Sequence, residues 1–349
     1  MKVQNTNHYS IRAGRITQGC KRCIKGQKLV LFVTGLCPRN CWYCPLSEEK
    51  RQNDVVYANE WKTSRLQDII KEARLTNAKG AGITGGDPLA KIERTARYIK
   101  RLKEHFDNFH IHLYTSLQLL DQKKIEKLNK AGLDELRLHP QIDNKSLWHK
   151  IMLLKHFKGK KGIEIPSIPG QEKEIKELID YSAKTIDFLN LNELEITQTN
   201  RKEFKKRALN TTGYISQSIQ GSKELAQRLL SYCSKKNLRT HFCTAKLKDA
   251  AQMKNRIKKR AKNVATEFDE ITIEGMLIRP VIYGPLRRLK NYLEKNNIPF
   301  RLDTKNKRVI VDAYILKEYL EAIRKQGFSP AIVEEYPTWD ATKVQVDYL

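Results

Sequence analysis

The sequence predicts an α/β protein: a partial barrel of six parallel strand–helix repeats, followed by a smaller α+β domain. Three observations carry this. Strand-like and helix-like segments alternate between residues 28 and 197, which implies parallel pairing with the helices outside. The first of the strand segments is a continuous apolar run, the pattern of a strand covered on both faces. After residue 266 the order changes to β-α-β-β-α-β, the split arrangement of a ferredoxin-like domain.

The elements follow in order. KLVLFVT (28–34) is the first strand. SRLQDIIKEARLTNA (64–78) places Leu66, Ile69, Ile70, Ala73 and Leu75 at helical spacing behind Ser64, a capping residue type. AGIT (81–84) is a strand, LAKIERTARYIKRLKEHF (89–106) a helix and FHIHLYT (109–115) a strand. The helix DQKKIEKLNKAG (121–132) closes on Gly132. LDELRLHP (133–140), a helix over 145–157, GIEIPSIP (162–169), the helix 172–185 and DFLNLNELEIT (187–197) complete six repeats. A further helix (222–237) and strand (238–243) follow. A closed eight-fold barrel needs two more repeats than six, so a partial barrel fits better, with its chemistry on loops after the strands. Residues 198–222 read as a long basic loop, a lid or binding segment. Beyond them, 270–282 is a strand, 285–297 a helix, 300–313 a hairpin, 316–327 a helix and 331–338 a strand. The hairpin strand RVIVDA lacks the paired aromatics of an RRM sheet. The expected division is an extension (1–27), the barrel (28–250), a basic helix or linker (251–265) and the C-terminal domain (266–349).

Charge sets expectations about partners. Lys and Arg total 66 against 39 Asp and Glu, a net charge of +27, and a polyanion is the common explanation for such an imbalance. The segment 253–262 carries Lys254, Arg256, Lys258, Lys259, Arg260 and Lys262 with no acid, and Lys258, Lys259 and Arg260 are its candidate phosphate contacts. No apolar run approaches the ~20 residues of a membrane span. The N-terminus lacks a signal-peptide core, so a cytoplasmic location is expected.

In that setting disulfides are disfavoured, and cysteines point to metal or chemistry. LCPRNCWYCPL (36–46) holds Cys37, Cys41 and Cys44, with Tyr43 before the last. Structural zinc needs four ligands, usually as two pairs. Three thiolates at an unpaired spacing suit an iron–sulfur cluster with one iron left open. This CxxxCxxC motif resembles that of radical S-adenosylmethionine (radical SAM) enzymes. TGGDP (84–88), after the second strand, resembles the family's Gly-Gly-Glu-type motif, with Asp87 one methylene shorter than the usual Glu.

The resemblance, over about residues 25–245, implies a 4Fe–4S cluster on Cys37, Cys41 and Cys44, its fourth iron chelated by S-adenosylmethionine. It implies that Gly85, Gly86 and Asp87 meet the methionine amino group, by side chain or backbone, and that the backbone of Tyr43 meets the adenine. Thr115 and Arg137 are carried over by position as contacts to ribose or carboxylate, with an ordinary ion pair the alternative for Arg137. The implied reaction is reductive cleavage of S-adenosylmethionine to a 5′-deoxyadenosyl radical, fed by a low-potential donor such as ferredoxin or flavodoxin. The branch most resembled is an archaeal one related to pyruvate formate-lyase activating enzyme. The basic charge favours RNA (tRNA or rRNA) as substrate. The alternatives are protein modification, such as installing a glycyl radical, and a non-catalytic metal-stapled RNA-binding protein.

Two groups stand outside these motifs. Asn190 and Asn192 alternate with leucines, which puts both amides on one strand face, to bind substrate or join a structural network. Cys20, Cys23, Cys233 and Cys243 are expected to converge on zinc or an auxiliary iron–sulfur cluster, with His241 a substitute ligand. The alternatives are that Cys233 is core, or that a reactive thiol is present.

Overall fold

The computed structural model describes residues 1–213 and 217–349, in two compact units. One comprises Met1–Arg74 and Ala78–Met253, the other Leu75–Asn77 and Lys254–Leu349.

The first unit is built on β1 (Val3–Asn5), β2 (Ile11–Ala13), β3 (Leu29–Phe32), β4 (Tyr57–Ala58), β5 (Trp61–Lys62), β6 (Gly80–Thr84), β7 (His110–Ser116), β8 (Glu135–His139), β9 (Lys160–Pro166), β10 (Phe188–Asn192) and β11 (Arg239–Cys243). The sheet order is β1-β2-β11-β10-β9-β8-β7-β6-β3-β4-β5. Among the described residues seven strands, β3 and β6 to β11, run parallel, one more than the six repeats. Helices α2 (Leu66–Leu75), α3 (Ile92–His105), α4 (Gln122–Ala131), α5 (Glu172–Ser182) and α7 (Ser222–Lys235) each bury an apolar stripe, as amphipathic helices covering a sheet do. Gly132 ends α4 with φ +87°, the left-handed cap its position requires. The segment Lys145–His156 is wound as 3₁₀ turns rather than as an α-helix.

The N-terminal extension is tied down differently from expectation. β2 pairs antiparallel with β11, Ile11 opposite Phe242 and Ala13 opposite Thr240, so ladder hydrogen bonds hold it. Helix α1 (Gln18–Ile24) begins at Thr17, whose side chain accepts from the Cys20 amide, and Gly19 N–H donates to the Glu135 carboxylate at 3.4 Å. A Cβ on Gly19 would lie 2.6 Å from Arg137 Nη2, so only glycine lets α1 approach these luminal charges so closely. The expected loop 198–222 contains α6 (Arg201–Lys206) and two isolated bridges, and its residues 214–216 lie outside the described residues. A short helix α8 (Ala245–Leu247) follows β11.

The second unit begins with α9 (Lys254–Val264), which groups with the C-terminal domain instead of standing as a linker. Its sheet contains β12 (Glu270–Ile271), β13 (Leu277–Tyr283), β14 (Phe300–Asp303), β15 (Arg308–Val311), β16 (Ser329–Glu335) and β17 (Lys343–Tyr348), in the order β14-β15-β13-β16-β17 with β12 on β13. With α10 (Leu286–Lys295), α11 (Ala313–Glu318) and α12 (Leu320–Lys325) this is the β-α-β-β-α-β split, extended by β17. The strand expected over 270–282 is instead a hairpin, because Gly275 turns the chain at φ +91°. Within α9, Ile257, Arg260 and Ala261 are buried, and Arg260 donates to the Pro337 carbonyl. Arg260 is therefore not a free phosphate contact as expected, whereas Lys258 and Lys259 are half-buried.

Candidate active site

The site is built on the loop after β3. Thr34 Oγ1 donates to Asp54 at 2.9 Å, and Arg94 grips the same carboxylate through two nitrogens, 2.6 and 3.1 Å away. Arg94, followed by Lys91 at 3.0 Å, holds the Asp54 carboxyl well below its ordinary range. The loop between these anchors therefore leaves and returns at one fixed point. Within it, Cys37 N–H donates to Gln52 Oε1 and Gln52 Nε2 donates back to the Cys37 carbonyl.

Cys37, Cys41 and Cys44 line one cavity of about 220 Å³ together with Gly85, Gly86, Thr115 and Ser116. Burial pushes the Cys37 thiol up to about 11 and raises that of Cys41, so loading metal must displace protons. Arg39 N–H points at Cys37 Sγ, 3.4 Å away, a donor of the kind that stabilises cluster sulfurs. Three thiols facing a shared cavity beside a glycine-rich turn fit the cluster and ligand that the sequence implies. Among the described residues no three His, Cys, Asp or Glu side chains gather as a site for one metal ion.

The Gly-Gly-Asp turn explains itself locally. Gly86 N–H donates to the Thr34 carbonyl at 2.7 Å and Asp87 N–H to that of Leu36 at 2.8 Å. A Cβ on Gly85 would stand 2.5 Å from the Thr34 oxygen, and one on Gly86 would stand 2.5 Å from that of Leu36. Both glycines thus let the turn lie backbone to backbone on the cysteine loop. The Asp87 carboxylate is fully buried and accepts from Thr115 Oγ1, from Ser116 N and Oγ, and from Leu89 N at 2.5–3.1 Å. The Asp87 carboxylate therefore acts by holding that turn to β7. Thr115 lines the cavity while spending its hydroxyl proton on Asp87.

Arg137 does not line the cysteine cavity and makes the ion pair named as its alternative. It lies inside the barrel, 3 % exposed, with Nε 2.7 Å from Glu135 and Nη1 2.8 Å from both Glu164 and the Tyr114 hydroxyl. Asn190 and Asn192 do share the luminal face, and both donate to Glu164, at 2.8 and 3.0 Å; Asn192 also lines the cavity. Burial opposes charge on Glu164, yet Arg137 and the two amides lower its pKa overall.

Glu164 and His139 were missed in the sequence. His139 Nδ1 donates to the Glu164 carbonyl at 2.6 Å, which leaves Nε2 to accept from the Tyr43 hydroxyl at 2.9 Å. Burial lowers His139 to about 4, so it is neutral. The Tyr43 carbonyl, expected at the adenine, accepts from Asn200 Nδ2 at 3.2 Å. The signal was present: Glu135, Arg137 and His139 repeat every second residue, and Glu164 sits between Ile163 and Ile165.

The four remaining cysteines do not form one site: Cys20, Cys23 and Cys243 lie near enough to disfavour one another's charged forms, and Cys233 stands apart from them. Cys233 is fully buried among Leu229, Leu230 and Leu238 of the core around the sheet, because α7 turns that face inward. Cys20 Sγ lies in the lumen, 3.5 Å from Arg137 Nη2 and 3.4 Å from Asn190 Nδ2. His241, offered as a substitute ligand, has Nε2 3.0 Å from Ser10 Oγ.

A family model of the radical SAM superfamily matches residues 31–165, and one for a domain of unknown function matches 275–348. The chain belongs to the radical SAM superfamily and is an enzyme of that class, whose members use a 4Fe–4S cluster and S-adenosylmethionine. It is similar to a protein of Methanocaldococcus jannaschii provisionally named a glycyl-radical enzyme activating enzyme, 40 % identical over 95 % of this chain and 92 % of that one. Solved structures it resembles include coproporphyrinogen III oxidase from Escherichia coli (TM-score 0.40, 13 % identity, 64 % of this chain and 57 % of that one). Methylornithine synthase is another (TM-score 0.41, 14 % identity, 64 % and 71 %). Among the described residues no helix is long and apolar enough to cross a membrane.

Proposed function

We propose that this chain is an activating enzyme that removes a hydrogen atom from a glycine of a partner protein, leaving a glycyl radical. The observation that carries this reading is the full-length likeness to a relative of that provisional name. When bound, the cluster and S-adenosylmethionine supply a carbon radical that accepts the hydrogen atom. The chain's own part is placement: Cys37, Cys41 and Cys44 hold the cluster, the Gly85–Gly86 backbone meets the ligand, and Glu164 and Asn192 line the innermost wall. The reading includes a cytoplasmic setting and a low-potential donor such as ferredoxin or flavodoxin.

The net charge of +27 is the observation that favours the second reading, RNA modification. One pair of experiments separates the two. Reconstituted protein incubated anaerobically with reductant, S-adenosylmethionine and a glycyl-radical enzyme polypeptide should yield a glycyl radical by electron paramagnetic resonance. If instead RNA from cells lacking the gene loses a modified nucleoside by mass spectrometry and no protein radical forms, the RNA reading replaces it.

A further inference from the structure

Beside the cysteine cavity lies a second hollow of about 220 Å³ at the barrel mouth. It shares Arg39, Cys41 and Tyr43 with the first and is otherwise walled by Pro38, Asn40 and Trp42 of the cysteine loop and by the loops after β7, β8 and β9. Its polar lining is dominated by carboxamides: Asn40, Gln118, Gln141 and Gln171, set among Trp42, Ile142 and Ile168. Lys150 and Trp148 donate to the Gln118 and Gln141 main-chain carbonyls. Among the described residues no hydrogen bond engages the carboxamides of Gln118, Gln141 or Gln171, and Gln171 Oε1 is buried with no donor.

We propose that this carboxamide-lined groove binds the main chain of an extended peptide segment, the stretch of partner protein that enters the barrel. The proposal rests on the activating-enzyme reading and adds how the substrate is recognised. A carboxamide carries a donor and an acceptor together, the complement of a peptide unit, and it recognises backbone irrespective of side chain. Three such groups without internal partners must exchange water for a ligand's hydrogen bonds, and a buried acceptor such as Gln171 Oε1 gains most. Charge argues against a phosphate backbone here, because Arg39 is the one cation among the described lining residues. Its Nη1 is already spent on the His139 carbonyl at 2.7 Å. Phosphate readers need Lys and Arg in such a wall. At this volume the groove is smaller than a whole small-molecule pocket, so it grips one short stretch beside the cluster.

The test uses the full chain, reconstituted anaerobically, and a labelled pool of short capped peptides of random sequence around a central glycine. A twin pool carries N-methylated backbone amides, and an oligouridylate serves as the nucleic-acid probe. The combined variant Gln118→Ala, Gln141→Ala, Gln171→Ala should bind the peptide pool about tenfold more weakly, as expected for losing two or three neutral hydrogen bonds. The N-methylated pool should bind the unaltered protein about as weakly. Gln171→Glu alone, which keeps the acceptor and removes the donors, should show an intermediate loss, and iron content and circular dichroism verify the fold. Unchanged pool binding by the combined variant, indifference to N-methylation, or displacement of peptide by oligouridylate overturns the proposal. Groove-dependent peptide binding without any glycyl radical faults the activating reading alone. Radical formation with groove-independent binding faults the groove alone.

Discussion

Arg137 Nη1 lies 2.8 Å from Glu164 Oε2 inside the barrel, with the two side chains 3 % and 11 % exposed. Glu135 closes the other flank of the same guanidinium. Removing one partner of a buried pair leaves a charge without compensation, at about 3–5 kcal/mol. Arg137→Met should therefore lower unfolding free energy by about that much in denaturant titrations. Because Glu164 is held below its ordinary value of 4.5, its contribution is present above that pH and lost as pH falls through the lower native value. The unaltered protein should lose stability below pH 4.5 more steeply than the variant. Equal acid slopes would contradict the pairing.

Gly86→Ala tests the backbone contact between the Gly-Gly-Asp turn and the cysteine loop. The added methyl would stand 2.5 Å from the Leu36 carbonyl oxygen, so the loops must part. Overpacking of this kind costs roughly 2 kcal/mol, and the displaced loop should retain less iron. Full iron content with unchanged stability would show that the turn does not set the loop.

Lys28 gives a prediction of the same pH sense in a higher window. Burial lowers its pKa from 10.5 to about 7, with His110 Nδ1 3.1 Å from the ammonium. Between those values the unfolded chain binds the proton and the native chain does not, so stability should rise with pH across this window. Lys28→Met should flatten that rise and bring its largest relative gain below pH 7. A rise that persists in the variant would assign it to another group.

Cys233→Ala should cost about 1–2 kcal/mol as a small core truncation and leave metal content unchanged. Loss of zinc or iron on that change would restore a metal role for the residue.

The barrel was legible because buried parallel strands print continuous apolar runs and their helices print period 3.6. KLVLFVT and DQKKIEKLNKAG needed no tertiary information. The cysteine loop and the Gly-Gly-Asp turn were legible because their residues are adjacent in sequence. What failed was long-range. Strand position alone leaves Arg137 open to a ligand contact or an ion pair, and it takes the pairing of β8 with β9 and the wedge of α1 to draw it onto Glu135 and Glu164. The N-terminal extension was assigned to metal because its apolar content is low, but Ile11 and Ala13 need only one strand edge. Charge alone makes Arg260 a candidate phosphate contact, but Ile257 and Ala261 mark a buried stripe that carries it inward. The carboxamides at the mouth come from separate loops and leave no linear signature.

Iron content and S-adenosylmethionine cleavage, measured together on the anaerobically reconstituted full chain, test most directly whether Cys37, Cys41 and Cys44 hold the cluster. The protein should bind about four irons and release methionine and 5′-deoxyadenosine only with reductant. Alanine at any one of the three cysteines should abolish cleavage, whereas alanine at Cys233 should leave both readings intact. A colourless protein that takes up zinc, or one that keeps its iron and its cleavage without Cys37, Cys41 and Cys44, would contradict the assignment.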